Sequence, residues 1–168
     1  MTQQRHHTLP VEVPPANRFT VMVIDDLPAN RTLLSKVLQG SGYNVLDASN
    51  GIEALDMLMS KGVRPDLIIT DVEMPVMDGV TMVQQIRLLE NTVAGVPIIT
   101  ASGNPDVEME RQAIEAGSDS FLTKPFDLRL LRREIASLLR TRASRSKLSG
   151  KRESQDANRL RARAEKIA

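Results

Sequence analysis

Between Phe19 and Arg140, five short apolar runs each give way to a stretch whose apolar residues recur at helical spacing. The first run, Thr20-Val21-Met22-Val23-Ile24, is β-branched and uninterrupted, as expected of a strand covered on both faces. It ends at Asp25-Asp26. Pro28 then suits the first turn of a helix carrying Leu33, Leu34, Val37 and Leu38, which Gly40 and Gly42 stop. Asn44 to Asp47 reads as a weak second strand, and Gly51 to Ser60 as a helix with Ile52, Leu55 and Met59 on one face. Asp66 to Thr70 is the third strand, followed by a helix on Val80, Val83, Ile86 and Leu89. Val96 to Thr100 is the fourth, and Pro105 to Ala116 a helix closed by Gly117. Asp119 to Leu122 is the fifth, and after Lys124-Pro125 comes a helix on Leu128, Leu131, Ile135 and Leu138. Strands and helices alternating through short loops predict an α/β domain: a doubly wound, five-stranded parallel sheet with helices on both faces.

The 168 residues allow one domain of ordinary size with chain to spare. Residues 1–18, polar and carrying Pro10, Pro14 and Pro15, read as a flexible arm. Residues 19–140 read as the folded domain, and 141–168 as a basic tail or linker, in part a candidate helix. From Arg142 onward nine Lys or Arg face three acidic residues, whereas residues 1–141 hold thirteen basic and eighteen acidic ones. There is no cysteine, which removes disulfides, thiolate metal sites and cysteine nucleophiles. Both histidines, His6 and His7, lie in the N-terminal arm, so the domain has no imidazole base, His-rich metal site or phosphohistidine. Aromatic residues make up only 2%, so the core is aliphatic and methionine-filled, without platforms for stacking nucleic-acid bases. No apolar run approaches the roughly 18 residues a membrane span needs, and Met1-Thr2-Gln3-Gln4-Arg5 leads into no signal-peptide core. The chain reads as cytoplasmic.

In a doubly wound sheet of order 2-1-3-4-5, ligands sit beyond the carboxyl ends of the strands, where the order reverses between strands 1 and 3. Asp25 and Asp26 end strand 1, Asp71 follows strand 3, Thr100 ends strand 4 and Lys124 follows strand 5. Three carboxylates in one crevice repel: at an effective dielectric of ~20, two unit charges ~4 Å apart cost about 4 kcal/mol. A hard cation relieves this, and Mg²⁺ suits one or two carboxylates with room left for phosphate oxygens and water. With Mg²⁺ and Lys124 the formal charge closes at zero. Asp71 is then placed to attack a phosphoryl group met by the metal, Lys124, the Thr100 hydroxyl and a backbone amide near Ala101.

Asp25-Asp26, the run from Asp71 through Met74-Pro75 to Asp78-Gly79, Thr100-Ala101 and Lys124-Pro125, in this order and spacing, resemble the receiver domain of two-component response regulators. The resemblance covers roughly residues 19–140. It implies a flavodoxin-like fold with Asp71 as phosphoacceptor, Asp26 and Asp71 binding Mg²⁺ directly, Asp25 acting through water, and Glu73 contributing its backbone carbonyl. It also implies that Thr100 and Lys124 hold the phosphoryl oxygens, that the Lys124-Pro125 bond is cis, and that Phe121 is the aromatic switch. Phe121 replaces the tyrosine of many relatives, so a signal needing a phenol hydroxyl is lost. Pro28-Ala29-Asn30-Arg31 is similar to the same stretch of receivers in hybrid sensor kinases.

The function this implies is bacterial signal transduction. A histidine kinase or histidine phosphotransfer protein donates a phosphoryl group to Asp71, and the phosphoprotein changes a partner-binding surface around helix 4, strand 5 and helix 5. Such a domain catalyses its own phosphorylation and dephosphorylation and is not a turnover enzyme. A homodimer is compatible with this reading, and nucleic acid is disfavoured as a partner. The alternatives are a receiver gating a basic arm that binds nucleic acid, and the N-terminal part of a longer multidomain regulator. Other phosphate chemistry fits less well. Gly150-Lys151-Arg152 lacks the glycine and Ser/Thr of a P-loop, and aspartate-nucleophile phosphatases repeat an aspartate where this chain has Glu73. Asp78-Gly79 reads as a turn and helix cap rather than a ligand pair.

Overall fold

The computed structural model of the protein describes residues 19–145. The arm expected over 1–18 and the tail beyond 145 lie outside the described residues. Five strands, β1 (Thr20–Ile24), β2 (Asn44–Ala48), β3 (Leu67–Asp71), β4 (Ile98–Ser102) and β5 (Ser120–Thr123), form one parallel sheet in the order β2-β1-β3-β4-β5. Helices α1 (Pro28–Gly40), α2 (Gly51–Met59), α3 (Gly79–Arg87), α4 (Val107–Glu115) and α5 (128–145) alternate with them, and a single 3₁₀ turn (Thr92–Gly95) precedes β4. This is the flavodoxin-like order expected from the sequence, with its reversal between β1 and β3.

The two faces of the sheet carry separate cores, because successive strand residues point to opposite sides. Val21, Val23, Leu67, Ile69 and Ile99 pack with Leu34 and Leu38 of α1 and with Leu131, Ile135 and Leu139 of α5. Met22, Ile24, Ile68 and Ile98 pack with Ala54 and Leu58 of α2 and with Met82, Val83 and Ile86 of α3. Central strands β3 and β4 are therefore buried throughout, whereas edge strand β2 exposes Asn44 and Asp47. That exposure explains why β2 is the weakest signal in the sequence.

Three expectations shift. The α2 face presented inward is Gly51, Ala54 and Leu58, not Ile52, Leu55 and Met59: Leu55 is half-buried, and Ile52 and Met59 are exposed. Small residues let α2 lie close to the sheet, and the larger apolar ones are left outside, as many are on any protein surface. Leu33 of α1 and Leu128 of α5 are likewise exposed. Strand β3 runs one residue later than expected, because Asp66 is used as an anchor: its carboxylate accepts from Thr20 N at 2.9 Å and its own N–H donates to Thr20 O at 2.7 Å. Finally, α5 continues past Arg140, where Arg142 Nη1 donates to Pro65 O and Asp66 O at 2.9 and 2.7 Å and ties the helix to the lower edge of the sheet.

Loop chemistry sets the helix starts. Asp78 caps α3 by accepting from Thr81 N at 2.7 Å, and Asp106 caps α4 by accepting from Met109 N at 2.7 Å. Asn50 caps α2 while Glu53 reaches back to Ser49 N at 2.8 Å, a reciprocal arrangement of the capping-box kind. For α1 the flanking residue is Leu27, with Pro28 at the first position, and Asp25 Oδ1 accepts Leu27 N at 2.9 Å. The acidic pair at the end of β1 is thus bound into the turn that starts α1.

Candidate functional site

Asp25 and Asp71 end on the same side of the sheet and are almost completely buried, and Lys124 reaches between them from the loop after β5. Its Nζ donates to Asp25 Oδ2 and to Asp71 Oδ2, each at 2.6 Å. Asp26, half-buried, completes a set in which each of three carboxylates offers an oxygen within 4.8 Å of the others. One ammonium against three carboxylates leaves two negative charges. That deficit, borne by hard oxygen donors, suits a divalent cation such as Mg²⁺.

Burial is the largest influence on Asp71 and raises its pKa above the ordinary aspartate value; neighbouring Asp25 pushes the same way, while Lys124 and the Glu73 N–H pull back only in part. Burial pulls Lys124 down, but its two hydrogen-bonded carboxylates outweigh that, and its pKa lies above the ordinary lysine value. The Asp71 carboxylate is fixed at both oxygens, since Glu73 N donates to Oδ1 at 3.2 Å. Behind Asp25 and Asp26 stands Arg31, whose Nη1 donates to their backbone oxygens at 2.6 and 3.3 Å. Asn30 Nδ2 lies 3.3 Å from both oxygens of the Asp25 carboxylate.

The loop after β3 is folded tightly against this site. Gly79 N donates to Val72 O at 2.9 Å, and a Cβ on Gly79 would stand 2.0 Å from the backbone oxygen of Asp71. Only glycine allows that approach. The Lys124-Pro125 peptide is cis, as the resemblance implied.

Thr100 is fully buried one strand away, with Thr70 opposite it on β3 and Phe121 opposite it on β5. Its hydroxyl is engaged by Ser118 Oγ at 3.1 Å and Ser120 O at 3.3 Å, and no hydrogen bond joins it to Asp71 or Lys124. The structure therefore gathers Asp25, Asp26, Asp71 and Lys124 into one cluster and holds Thr100 turned away from it. Glu73 is exposed, and its Oε2 accepts from Ser102 Oγ at 3.1 Å. Phe121 is partly buried.

Residues 21–136 match the response regulator receiver domain family. The chain belongs to this family. The receiver is 36% identical over 116 residues to the sensor histidine kinase RcsC of Salmonella typhimurium, covering 69% of this chain and 12% of that one. It is 38% identical over 124 residues to the transcriptional regulatory protein PrrA of Mycobacterium tuberculosis, covering 74% of this chain and 51% of the relative. The receiver thus spans from about an eighth to about half of these relatives' lengths. Among solved structures it resembles the receiver domain of a signal transduction histidine kinase from Syntrophus aciditrophicus, with TM-score 0.67, 30% identity, and 73% of this chain and 91% of that one covered. It also resembles the Vibrio cholerae chemotaxis protein CheY4, with TM-score 0.65, 31% identity, and 71% and 98% covered.

Sequence reasoning passed over Ser118 and Ser102. A serine between Gly117 and Asp119 reads as turn composition, and nothing local ties it to Thr100, 18 residues earlier. Ser102, next to Gly103, likewise reads as loop. Arg31 carried a signal, since an arginine one turn into a helix after an acidic pair can return to it.

Proposed function

We propose that this receiver accepts a phosphoryl group from a phosphohistidine onto Asp71, in the presence of Mg²⁺, and changes a protein-binding surface as a result. The observation carrying this reading is Lys124 Nζ at 2.6 Å from both Asp25 and Asp71, with Asp26 beside them. A buried aspartate with a paired ammonium and a surplus of negative charge suits phosphoryl chemistry, in which positioning and charge neutralisation do most of the work.

Asp25, Asp26 and Asp71 would hold Mg²⁺, with the backbone carbonyl of Glu73 as a further oxygen. When bound, the ion neutralises charge on the incoming phosphoryl oxygens. An Asp71 carboxylate oxygen attacks phosphorus, the P–N bond to the donor imidazole breaks with its electron pair leaving on nitrogen, and an acyl phosphate forms. Lys124 moves with the charge, exchanging part of its contact with Asp71 for a phosphoryl oxygen. Thr100 turns from Ser118 to donate to another. In this account the receiver acts on itself, in phosphorylation and in dephosphorylation, and is no turnover enzyme.

Two surfaces fit the partners this requires. Exposed Leu33 and half-exposed Leu128 flank a groove of about 310 Å³ that reaches Asp25 and Lys124, which suits the helix of a histidine kinase or histidine phosphotransfer protein. The face of α4, β5 and α5 exposes Val107, Ile114 and Leu130 beside partly buried Phe121, and suits a downstream protein target. Among the described residues no helix is long and apolar enough to cross a membrane.

Intact mass after incubation with acetyl phosphate tests the reading. A Mg²⁺-dependent gain of one phosphoryl group, absent from Asp71→Asn, is expected. A gain that persists in Asp71→Asn contradicts it.

A further inference from the structure

We infer that Ser118 is a positioning residue that holds Thr100 in the unswitched arrangement and so sets how readily the phosphorylated form is reached; this rests on the phosphoacceptor reading of Asp71. Ser118 is buried at the turn into β5, and its Oγ lies 3.1 Å from Thr100 Oγ1, 2.9 Å from Ser120 O and 3.1 Å from Ile98 O. Thr100 Oγ1 has one further neighbour, Ser120 O at 3.3 Å.

Two hydroxyls bring two protons to this cluster. If Ser118 donates to a carbonyl, Thr100 donates to Ser118 Oγ or to Ser120 O. If Ser118 donates to Thr100, Thr100 donates to Ser120 O. In each arrangement the Thr100 proton is held on the β5 side. A threonine that donates to a phosphoryl group on Asp71 must release that proton, and the release strips Ser118 of a buried partner. The hydroxyl of Ser118 therefore opposes the switch by one net hydrogen bond. An alanine at this position would offer no such hold.

Thr100 is also directly opposite Phe121 in the β4–β5 register, so the same turn that fixes Ser118 fixes the side chain expected to follow Thr100. Ser118 sits where a single hydroxyl biases both.

Ser118→Ala is well suited as a test because it orphans neither carbonyl. Ile98 O keeps the Asp119 N–H at 2.8 Å, and Ser120 O keeps Thr100 Oγ1. The probe is beryllium fluoride with saturating Mg²⁺, a phosphoryl mimic, titrated by fluorine NMR against the full chain, its Ser118→Ala and Ser118→Thr variants. Ser118→Ala should bind the fluoride complex roughly 2- to 10-fold more tightly than the parent, the ratio one net hydrogen bond sets. Ser118→Thr should return toward the parent, and the affinity for Mg²⁺ alone should stay the same in all three, since Ser118 touches none of the carboxylates. A merely structural role would lower the melting temperature without tightening the complex. Equal or weaker binding by Ser118→Ala overturns the assignment of Ser118 while leaving Asp71 in place. A parent that binds no fluoride complex with Mg²⁺ overturns both.

Discussion

Lys124 Nζ stands 2.6 Å from Asp71 Oδ2 and equally close to Asp25 Oδ2, so one ammonium holds together two buried carboxylates that would otherwise repel. Removing it leaves both unpaired in a poorly solvated site, a change that typically costs about 3–5 kcal/mol. Lys124→Ala should therefore lose roughly that stability in chelator, read from the urea midpoint. Mg²⁺ should restore a larger share of the loss to the variant than it adds to the parent, because a cation can take over the pairing. Equal gains from Mg²⁺ in both proteins would contradict the pairing.

The raised pKa of Asp71 makes a prediction whose sign follows from linkage. The folded state binds the Asp71 proton more tightly than the unfolded chain does, so the ionised carboxylate opposes folding above its folded pKa. As pH falls through that range the penalty disappears, and it is gone below the ordinary aspartate value of 3.8. In chelator at neutral pH, Asp71→Asn should melt higher than the parent by roughly 2–5 °C, the shift made by about 1 kcal/mol in a domain of this size. The gap should close on acidification. A variant that melts lower at neutral pH would contradict the crowded-acid account.

Gly79 should tolerate no side chain. Its Cβ would lie 2.0 Å from Asp71 O and 3.1 Å from Val72 Cα, both backbone, so neither can swing aside. We expect Gly79→Ala to cost about 2–4 kcal/mol and to weaken Mg²⁺ binding, because the strain falls on the peptide carrying Asp71. Calorimetry with a Mg²⁺ titration checks both. An unperturbed Mg²⁺ affinity would separate the loop from the site.

Val76 lies in the same loop with φ +72° and is almost wholly exposed. A β-branched residue in the left-handed region carries about 1–2 kcal/mol of strain without compensating burial. Val76→Gly or Val76→Asn should raise stability by about 1 kcal/mol in urea unfolding, with Asn the cleaner variant because it adds less freedom to the unfolded chain. Loss of stability in both would show that the Val76 side chain is needed.

What could be read in the sequence was what chain order and strand periodicity carry. The five strands, their order and the gathering of Asp25, Asp26, Asp71 and Lys124 at one end follow from apolar runs that stop at charged residues. Which side of α2 faces inward did not follow, because Ala54 and Leu58 bury while the larger Ile52 and Met59 do not. Partners far apart in sequence were hidden too. Arg87 binds Ala94 O, Val96 O, Gly117 O and Asp119 and so ties α3 to β4 and β5, but in sequence it is one polar residue at a helix end. Thr100 was identifiable as a rim residue, but its turn toward Ser118 was not, since hydroxyl direction depends on neighbours that only folding supplies.

The central claim, that Asp71 itself carries the phosphoryl group, is tested most directly by chemical trapping. An acyl phosphate on an aspartate is reduced by borohydride to homoserine, whereas phosphoserine and phosphothreonine are not. After incubation with acetyl phosphate and Mg²⁺, peptide mass spectrometry should find homoserine at position 71 and at no other aspartate, and none when Mg²⁺ is chelated. Homoserine at Asp25 or Asp26, or a phosphoryl group that resists borohydride, would contradict the account.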